Sequence, residues 1–244
     1  VFALTEEVHF FDRHHDRGIG WYRERFSGGE DAAAVGESTP EYMYFPDVPP
    51  RMARSLPDAR LVAILRDPID RAYSQYWHNR TRGHEPLSFS EALDREGERL
   101  AGADREGRSR YSYVDRGRYL RQLQRVCEHY PRDALRVVLY EDLRDRRVET
   151  VGSVFRFLGV DDRVVPEEID RERNRFVTFR SQRLRRPIRR LPGPLRRVAS
   201  RLNIRYGAYP SLAPEDRAAV GARFAEDNAA LAAWLERDLS AWDA

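Results

Sequence analysis

The chain contains no lysine. All 43 of its basic residues, set against 40 acidic ones, are arginine. A guanidinium is planar and forks two hydrogen bonds onto a phosphate, sulfate or carboxylate, so this composition suits contacts with such anions. The net charge of +3 adds a mild bias toward anionic ligands. Cysteine is almost absent as well. Cys127 stands alone, which excludes an internal disulfide and leads us to expect a reducing, cytoplasmic setting. No apolar run approaches the roughly 20 residues that a membrane-spanning helix needs. No secretory leader is visible at Val1, although a chain that starts on Val leaves export open. No internal repeat and no metal-ligand spacing stands out, so no metal is expected. What remains is a heavily charged chain of 244 residues, long enough for one α/β domain with a sizeable core.

The chain is organised around Leu61 to His78. Leu61 to Leu65 is a short apolar run and predicts a strand buried on both faces. Arg66 stands where that strand ends. Asp67 suits a helix N-cap and Pro68 a first helical residue, so a helix is predicted from Pro68 to about Arg82. On it Asp67, Arg71, Ser74 and His78 share one face, while Ile69, Tyr73 and Tyr76 share a more apolar one. Open α/β sheets bind ligands beyond the carboxyl ends of their strands, where Arg66 sits. Two readings of the corner stay open: a phosphate site at a helix start, or an Arg paired with an acid.

Glu6 to Phe11 is predicted as a strand. Alternate side chains then put Glu7 and His9 on one side, where either could take a proton from a substrate hydroxyl. A solvated edge strand accounts for the pattern equally well. Further along, Gly18-Ile19-Gly20-Trp21-Tyr22 leads into a short predicted helix to Phe26, and helices are predicted at Pro49 to Leu56 and from the capping box Ser88-Phe89-Ser90-Glu91 to about Leu100. Ala101 to Ser109, rich in glycine and charge, is expected as a mobile loop. Tyr113 to Tyr130 contains a helix, with Cys127 as a small core residue. A strand from Leu135 to Tyr140 precedes a helix from Val148 to Leu158, closed by Gly159. Arg171 to Arg201 is densely basic and broken by Pro187, Pro192 and Pro194. It fits a solvated segment, a nucleic-acid patch or a grip on an anionic acceptor, but stacking aromatics are sparse there. Ala213 to Trp242 is expected as two helical stretches, broken or linked at Asp227-Asn228.

Arg66-Asp67-Pro68, followed by Arg71-Ala72-Tyr73-Ser74 and Tyr76, resembles the 3′-phosphate-binding motif of sulfotransferases that use 3′-phosphoadenylyl sulfate (PAPS). The likeness is strongest to the heparan sulfate branch and its bacterial relatives. The resemblance implies that Arg66 and Ser74 hold the 3′-phosphate of PAPS or of its product PAP. Glu7, His9 and Asp12, within Glu-Glu-Val-His-Phe-Phe-Asp, match a segment whose Glu is the family's catalytic base and whose His and Asp lie in the same site. Glu6 stands where that segment has Lys. Gly36-Glu37-Ser38-Thr39-Pro40 resembles the family's Gly-Glu-Lys-Thr-Pro, with Ser38 in place of a Lys that lines the acceptor cleft. Arg180-Ser181 is the candidate for a loop that brings cations to the 3′-phosphate.

The resemblance therefore implies an α/β fold, a parallel sheet flanked by helices of the P-loop-like sulfotransferase kind. It spans residues 1–244 as a single domain. It also implies sulfuryl transfer from PAPS to a hydroxyl or amine, with a carbohydrate or polysaccharide as the acceptor class that branch favours, and without a metal. The family's loop for the 5′-phosphosulfate has no counterpart in this stretch. The expectation is a chain that lacks that N-terminal unit, exposes apolar strand edges and is feeble alone. The alternatives are a PAP- or nucleotide-binding module without catalysis, a phosphotransferase and, further off, an Arg-rich nucleic-acid binder; the main reading involves no nucleic acid and no membrane segment.

Overall fold

The apolar run at Leu61–Leu65 forms a strand, β1, and Leu135–Leu139 forms a second, β2, beside it. The two are parallel, with Leu61 opposite Leu135 and Leu65 opposite Leu139. The computed structural model describes residues 7–29, 31–167, 169–170, 177–179, 181, 184, 187–188 and 190–242. Before β1 come α1 (Phe10–Arg13), α2 (Gly18–Arg23) and α3 (Val48–Ser55). Between the strands lie α4 (Pro68–Arg82), α5 (Phe89–Asp94), α6 (Glu96–Ala101), α7 (Arg105–Tyr111) and α8 (Tyr119–Cys127). After β2 follow α9 (Tyr140–Asp145), α10 (Arg147–Leu158), β3 (Val177–Phe179), α11 (Gly193–Asn203), β4 (Ile204–Tyr206), α12 (Pro214–Gly221) and α13 (Ala225–Leu235). The fold is of the α/β class. No helix among the described residues is long and apolar enough to cross a membrane.

The chain divides into two compact units. The first comprises Val1–Asp67, Arg118–Ile169 and Asp227–Arg237, and holds the β1–β2 pair. Its core is aromatic: Phe10, Phe11, Tyr22, Tyr42, Tyr44 and Phe45 are buried together with Val8 and Val48. Phe10 stacks on Tyr22 at 4.8 Å and meets Phe11 edge-on at 4.8 Å. Each buried Phe contributes roughly 1.5–3 kcal/mol, which anchors the short α1 in spite of its single turn. Gly159 ends α10 in the left-handed region at φ 75°, and the amides of Gly159 and Val160 donate to the carbonyls of Arg156 and Phe155. A side chain there would also meet the Arg60 guanidinium at 2.9 Å. β1 departs from expectation. Leu65 is fully buried, but Val62 is 37% and Ile64 58% exposed. Side chains alternate along a strand, and nothing among the described residues covers the face that carries these two.

The second unit comprises Pro68–Gly117, Asp170–Glu226 and Asp238–Ala244. Here α4 runs over the predicted span. Its apolar face buries Ile69, Ala72, Tyr73 and Tyr76 against Ala92, Leu93, Tyr113, Val114, Val220 and Phe224. Gly117 is required by this packing, because a Cβ there would stand 2.6 Å from the Phe224 ring. Ser88 and Glu91 form the expected capping box. The helix it starts is broken at Arg95 into α5 and α6, which leaves Glu96 buried with its carboxylate accepting from the Val114 and Asp115 amides at 2.7 Å each. Burial pushes the Glu96 carboxyl above its usual range, and those two amides draw it back down. The expected loop at Ala101 to Ser109 instead contains most of α7. Asp104 caps it by accepting from the Gly107 amide at 2.7 Å, and Glu106 pairs with Arg110 one turn on. Nor does Asp227-Asn228 break the last helices. The break falls at residues 222–224, and Asn228 is buried inside α13.

Candidate active site

The site begins with a reversal of the chain at His9. The predicted strand at Glu6 to Phe11 does not form: Glu6 lies outside the described residues, residues 7–9 are irregular, and Phe10 opens α1. In a strand, Glu7 and His9 would stand side by side about 6–7 Å apart. Instead His9 adopts the left-handed region, φ 52° and ψ 33°, which folds Glu7 and Asp12 toward its ring from opposite sides. For a residue with a Cβ this conformation costs roughly 1–2 kcal/mol and persists only where the surroundings hold it.

Residues some thirty positions away hold it. The His9 amide donates to Thr39 Oγ1 at 3.3 Å, and Thr39 in turn donates to Glu37 at 2.6 Å. The first amides of a helix have no intrahelical acceptor. In α1 the Tyr42 hydroxyl serves instead, accepting from Phe10 N at 2.8 Å and Phe11 N at 3.4 Å while donating to Glu37 at 2.8 Å. Burial, followed by the charge of Glu37, keeps the Tyr42 phenol well above its usual range, so it remains a donor. At the other side Arg51 donates to the Phe11 carbonyl at 2.8 Å.

The outcome is a chain of three titratable groups. His9 Nε2 lies 3.0 Å from Glu7 Oε2, and His9 Nδ1 lies 2.9 Å from Asp12 Oδ2. A neutral imidazole has one N–H, yet both ring nitrogens face carboxylate oxygens. His9 therefore bridges the two carboxylates, one at each ring nitrogen. The ends differ in access. The Glu7 side chain is 52% exposed, whereas that of Asp12 is completely buried. Burial pushes the Asp12 carboxyl above its usual range; His9 lowers it, and the nearby Glu41 raises it again.

Asp12, His9 and Glu41 bring one potential ligand atom each within 4.8 Å of one another, the spacing of a cation site. Arg13 already lies there, 2.8 Å from Glu41 and 3.5 Å from Asp12. Its guanidinium supplies the positive charge that two buried carboxylates require, and the His9 nitrogens are committed to Asp12 and Glu7.

Arg66 also belongs to the first unit. Because Leu65 pairs with Leu139, the residues after the two strands meet as well: the Arg66 guanidinium lies over the Tyr140 ring, 5.4 Å from its centre. The Tyr119 hydroxyl holds the Arg66 carbonyl at 2.9 Å. Ser74 belongs to the second unit, half-buried on α4, and its hydroxyl makes no hydrogen bond to the protein among the described residues. Arg180 lies outside the described residues. A groove of about 330 Å³ lined by Pro86, Leu87, Arg95, Glu98 and Arg99 contains none of these groups. Sequence reasoning found Glu7, His9 and Asp12 but gave no role to Thr39, Tyr42, Glu41 or Arg13. No local signal in the sequence marks them, since each gains its role only once the chain folds back on α1.

The family model described as Sulfotransferase domain matches residues 2–184. The chain belongs to the sulfotransferase family. Among curated relatives of the chain, heparan sulfate glucosamine 3-O-sulfotransferase 6 of Mus musculus is 33% identical over 168 residues, covering 69% of this chain and 47% of that protein. Heparan sulfate glucosamine 3-O-sulfotransferase 3B1 of Homo sapiens is 29% identical over 160 residues, 66% and 40% of the two chains. The chain thus spans less than half the length of these relatives. A solved sulfotransferase from Alicyclobacillus acidocaldarius superposes with a TM-score of 0.73 at 27% identity, covering all of this chain and 88% of that one.

Proposed function

We propose that this sulfotransferase moves a sulfuryl group from PAPS to a hydroxyl or amine of a carbohydrate acceptor, with Glu7 as general base. The observation that carries the reading is the Glu7–His9–Asp12 chain, with an exposed carboxylate at one end and a buried one at the other. In the working state His9 donates from Nε2 to Glu7 Oε2 and fixes that carboxylate. Among the described residues Glu7 Oε1 has no protein partner, so it can accept the acceptor's proton as its oxygen or nitrogen attacks sulfur. Asp12 holds the ring through Nδ1. With PAPS bound, the sulfur–oxygen bond to the nucleotide would break as the new bond forms, its electron pair leaving on the phosphate oxygen of PAP.

Bound PAPS would supply the sulfuryl group and a phosphate leaving group. Arg66 and Ser74 suit its 3′-phosphate by their own chemistry, one offering a forked cation after a strand end and the other a hydroxyl donor. Arg180 is a further candidate for the same phosphate. No metal is assigned, since Arg13 already occupies the cluster that could have held one. The relatives' names point to glucosamine in heparan sulfate as their acceptor. We carry over only the class, a carbohydrate, because Ser38 replaces the cleft Lys. The test is Glu7→Gln in the full-length gene product. Turnover should fall by about 10²–10⁴-fold while PAP affinity stays within about twofold. A large loss of PAP affinity, or retained turnover, would remove Glu7 from the assigned role.

A further inference from the structure

We propose that α11 docks the protein on an anionic lipid surface. The helix lies beyond the stretch matched by the family model, which ends at residue 184. Leu195, Val198 and Leu202 stand on it at i, i+3 and i+7, one stripe at helical spacing, and they are 60%, 59% and 68% exposed. Isolated apolar side chains on a surface are ordinary, but three large ones in register on a single helix form a patch that water does not favour. Leu191 and Leu184, just before the helix, are exposed as well. Arg196 and Arg197 lie on the opposite face and Arg201 flanks the stripe, all exposed, with Arg190 ahead of the helix. No acidic residue occurs between Glu172 and Glu215. The C-terminal end is anchored: Asn203 is buried and exchanges two hydrogen bonds with the Ser181 backbone, at 2.9 and 3.0 Å.

The charge pattern selects the occupant. At a lipid headgroup boundary the stripe enters the acyl edge, and the arginines reach phosphate groups at the level above it. A soluble polyanion would satisfy the arginines yet leave Leu195, Val198 and Leu202 in water. A second copy meeting this one stripe to stripe would bring two sets of arginines with no acids between them to one rim, which is repulsive.

The experiment is co-sedimentation of the protein with phosphatidylcholine vesicles, with and without phosphatidylglycerol. Binding should require phosphatidylglycerol and weaken with salt. The joint variant R196Q, R197Q and R201Q should weaken it by on the order of a hundredfold, given the attraction of each cation near such a surface. The joint variant L195S and L202S should weaken it at least about tenfold through the lost apolar area. Both variants should melt as the parent does, because every altered side chain is exposed. Four results would overturn the proposal. They are absence of vesicle binding, binding indifferent to phosphatidylglycerol, binding untouched by the leucine variant, and a concentration-dependent dimer that the leucine variant abolishes.

Discussion

Replacing Tyr42 by Phe should loosen the candidate active site without touching any group that meets substrate. The ring and its edge-on contact with Phe11 at 5.5 Å are kept, so only a hydroxyl is removed. Its loss leaves the buried Phe10 amide with no acceptor, at a cost of roughly 1–3 kcal/mol. Glu37 also loses a donor at 2.8 Å; because Glu37 is only half-buried, about 1 kcal/mol is reasonable there. The expected destabilisation is about 2–4 kcal/mol. For 244 residues that corresponds to a fall in Tm of roughly 5–15 °C. The left-handed turn at His9 depends on the same hydrogen bonds, so kcat should fall while the KM for the sulfuryl donor holds. Thermal unfolding and steady-state kinetics of the single variant check both parts. A change in Tm below about 1 °C, or a KM effect without a kcat effect, would refute the argument that Tyr42 caps α1 and sets the trio.

Two further perturbations address buried carboxyls. Asp12→Asn removes the partner of His9 Nδ1, and kcat should drop by about 10²-fold with donor binding retained. The same substitution tests a pH effect. Since burial raises the Asp12 pKa above 3.8, the folded chain holds that proton more tightly than the unfolded one, and this group's contribution to stability declines as pH rises from about 3.8 through the raised value. Urea midpoints measured across that window should show the decline in the parent and lose it in the variant. Glu96→Ala strips the acceptors from the Val114 and Asp115 amides and should cost about 2–5 kcal/mol in urea unfolding, with Glu96→Gln costing less because one acceptor oxygen remains.

What could be foreseen from the residues followed short-range physics. The five apolar residues of β1, the Asp67-Pro68 start of α4, the Ser88–Glu91 capping box and the Gly159 stop each depend on neighbours within a few positions, and each appears as expected. Three features depended on distant partners and were missed. The first is the turn at Glu7 to Asp12, which exists because Thr39 and Tyr42 accept amides from thirty or more positions away. The second is the break at Arg95, where the buried Glu96 serves a loop near Val114. The third is the exposure of Val62 and Ile64, since an apolar run does not reveal which face will find a covering layer. For the site, motif likeness singled out Glu7, His9 and Asp12, and Glu7 and Asp12 each lie within hydrogen-bonding distance of His9. The supporting shell of Tyr42, Glu37, Arg13 and Glu41 left no local signature, because each becomes meaningful only once the chain has folded back on α1.

The account's central claim is that the nucleotide is a 3′-phosphorylated one held through Arg66. The most direct measurement is the thermal shift of the full-length gene product with PAP, AMP and ATP, in the parent and in Arg66→Ala. At about a hundredfold excess over Kd, ligand binding adds roughly 2.7 kcal/mol, which is several degrees in Tm for a chain of this size. The account predicts that shift with PAP, little with AMP or ATP, and its loss in Arg66→Ala when the unliganded Tm of that variant is the baseline. An equal shift with ATP, or a PAP shift that survives in Arg66→Ala, would contradict it.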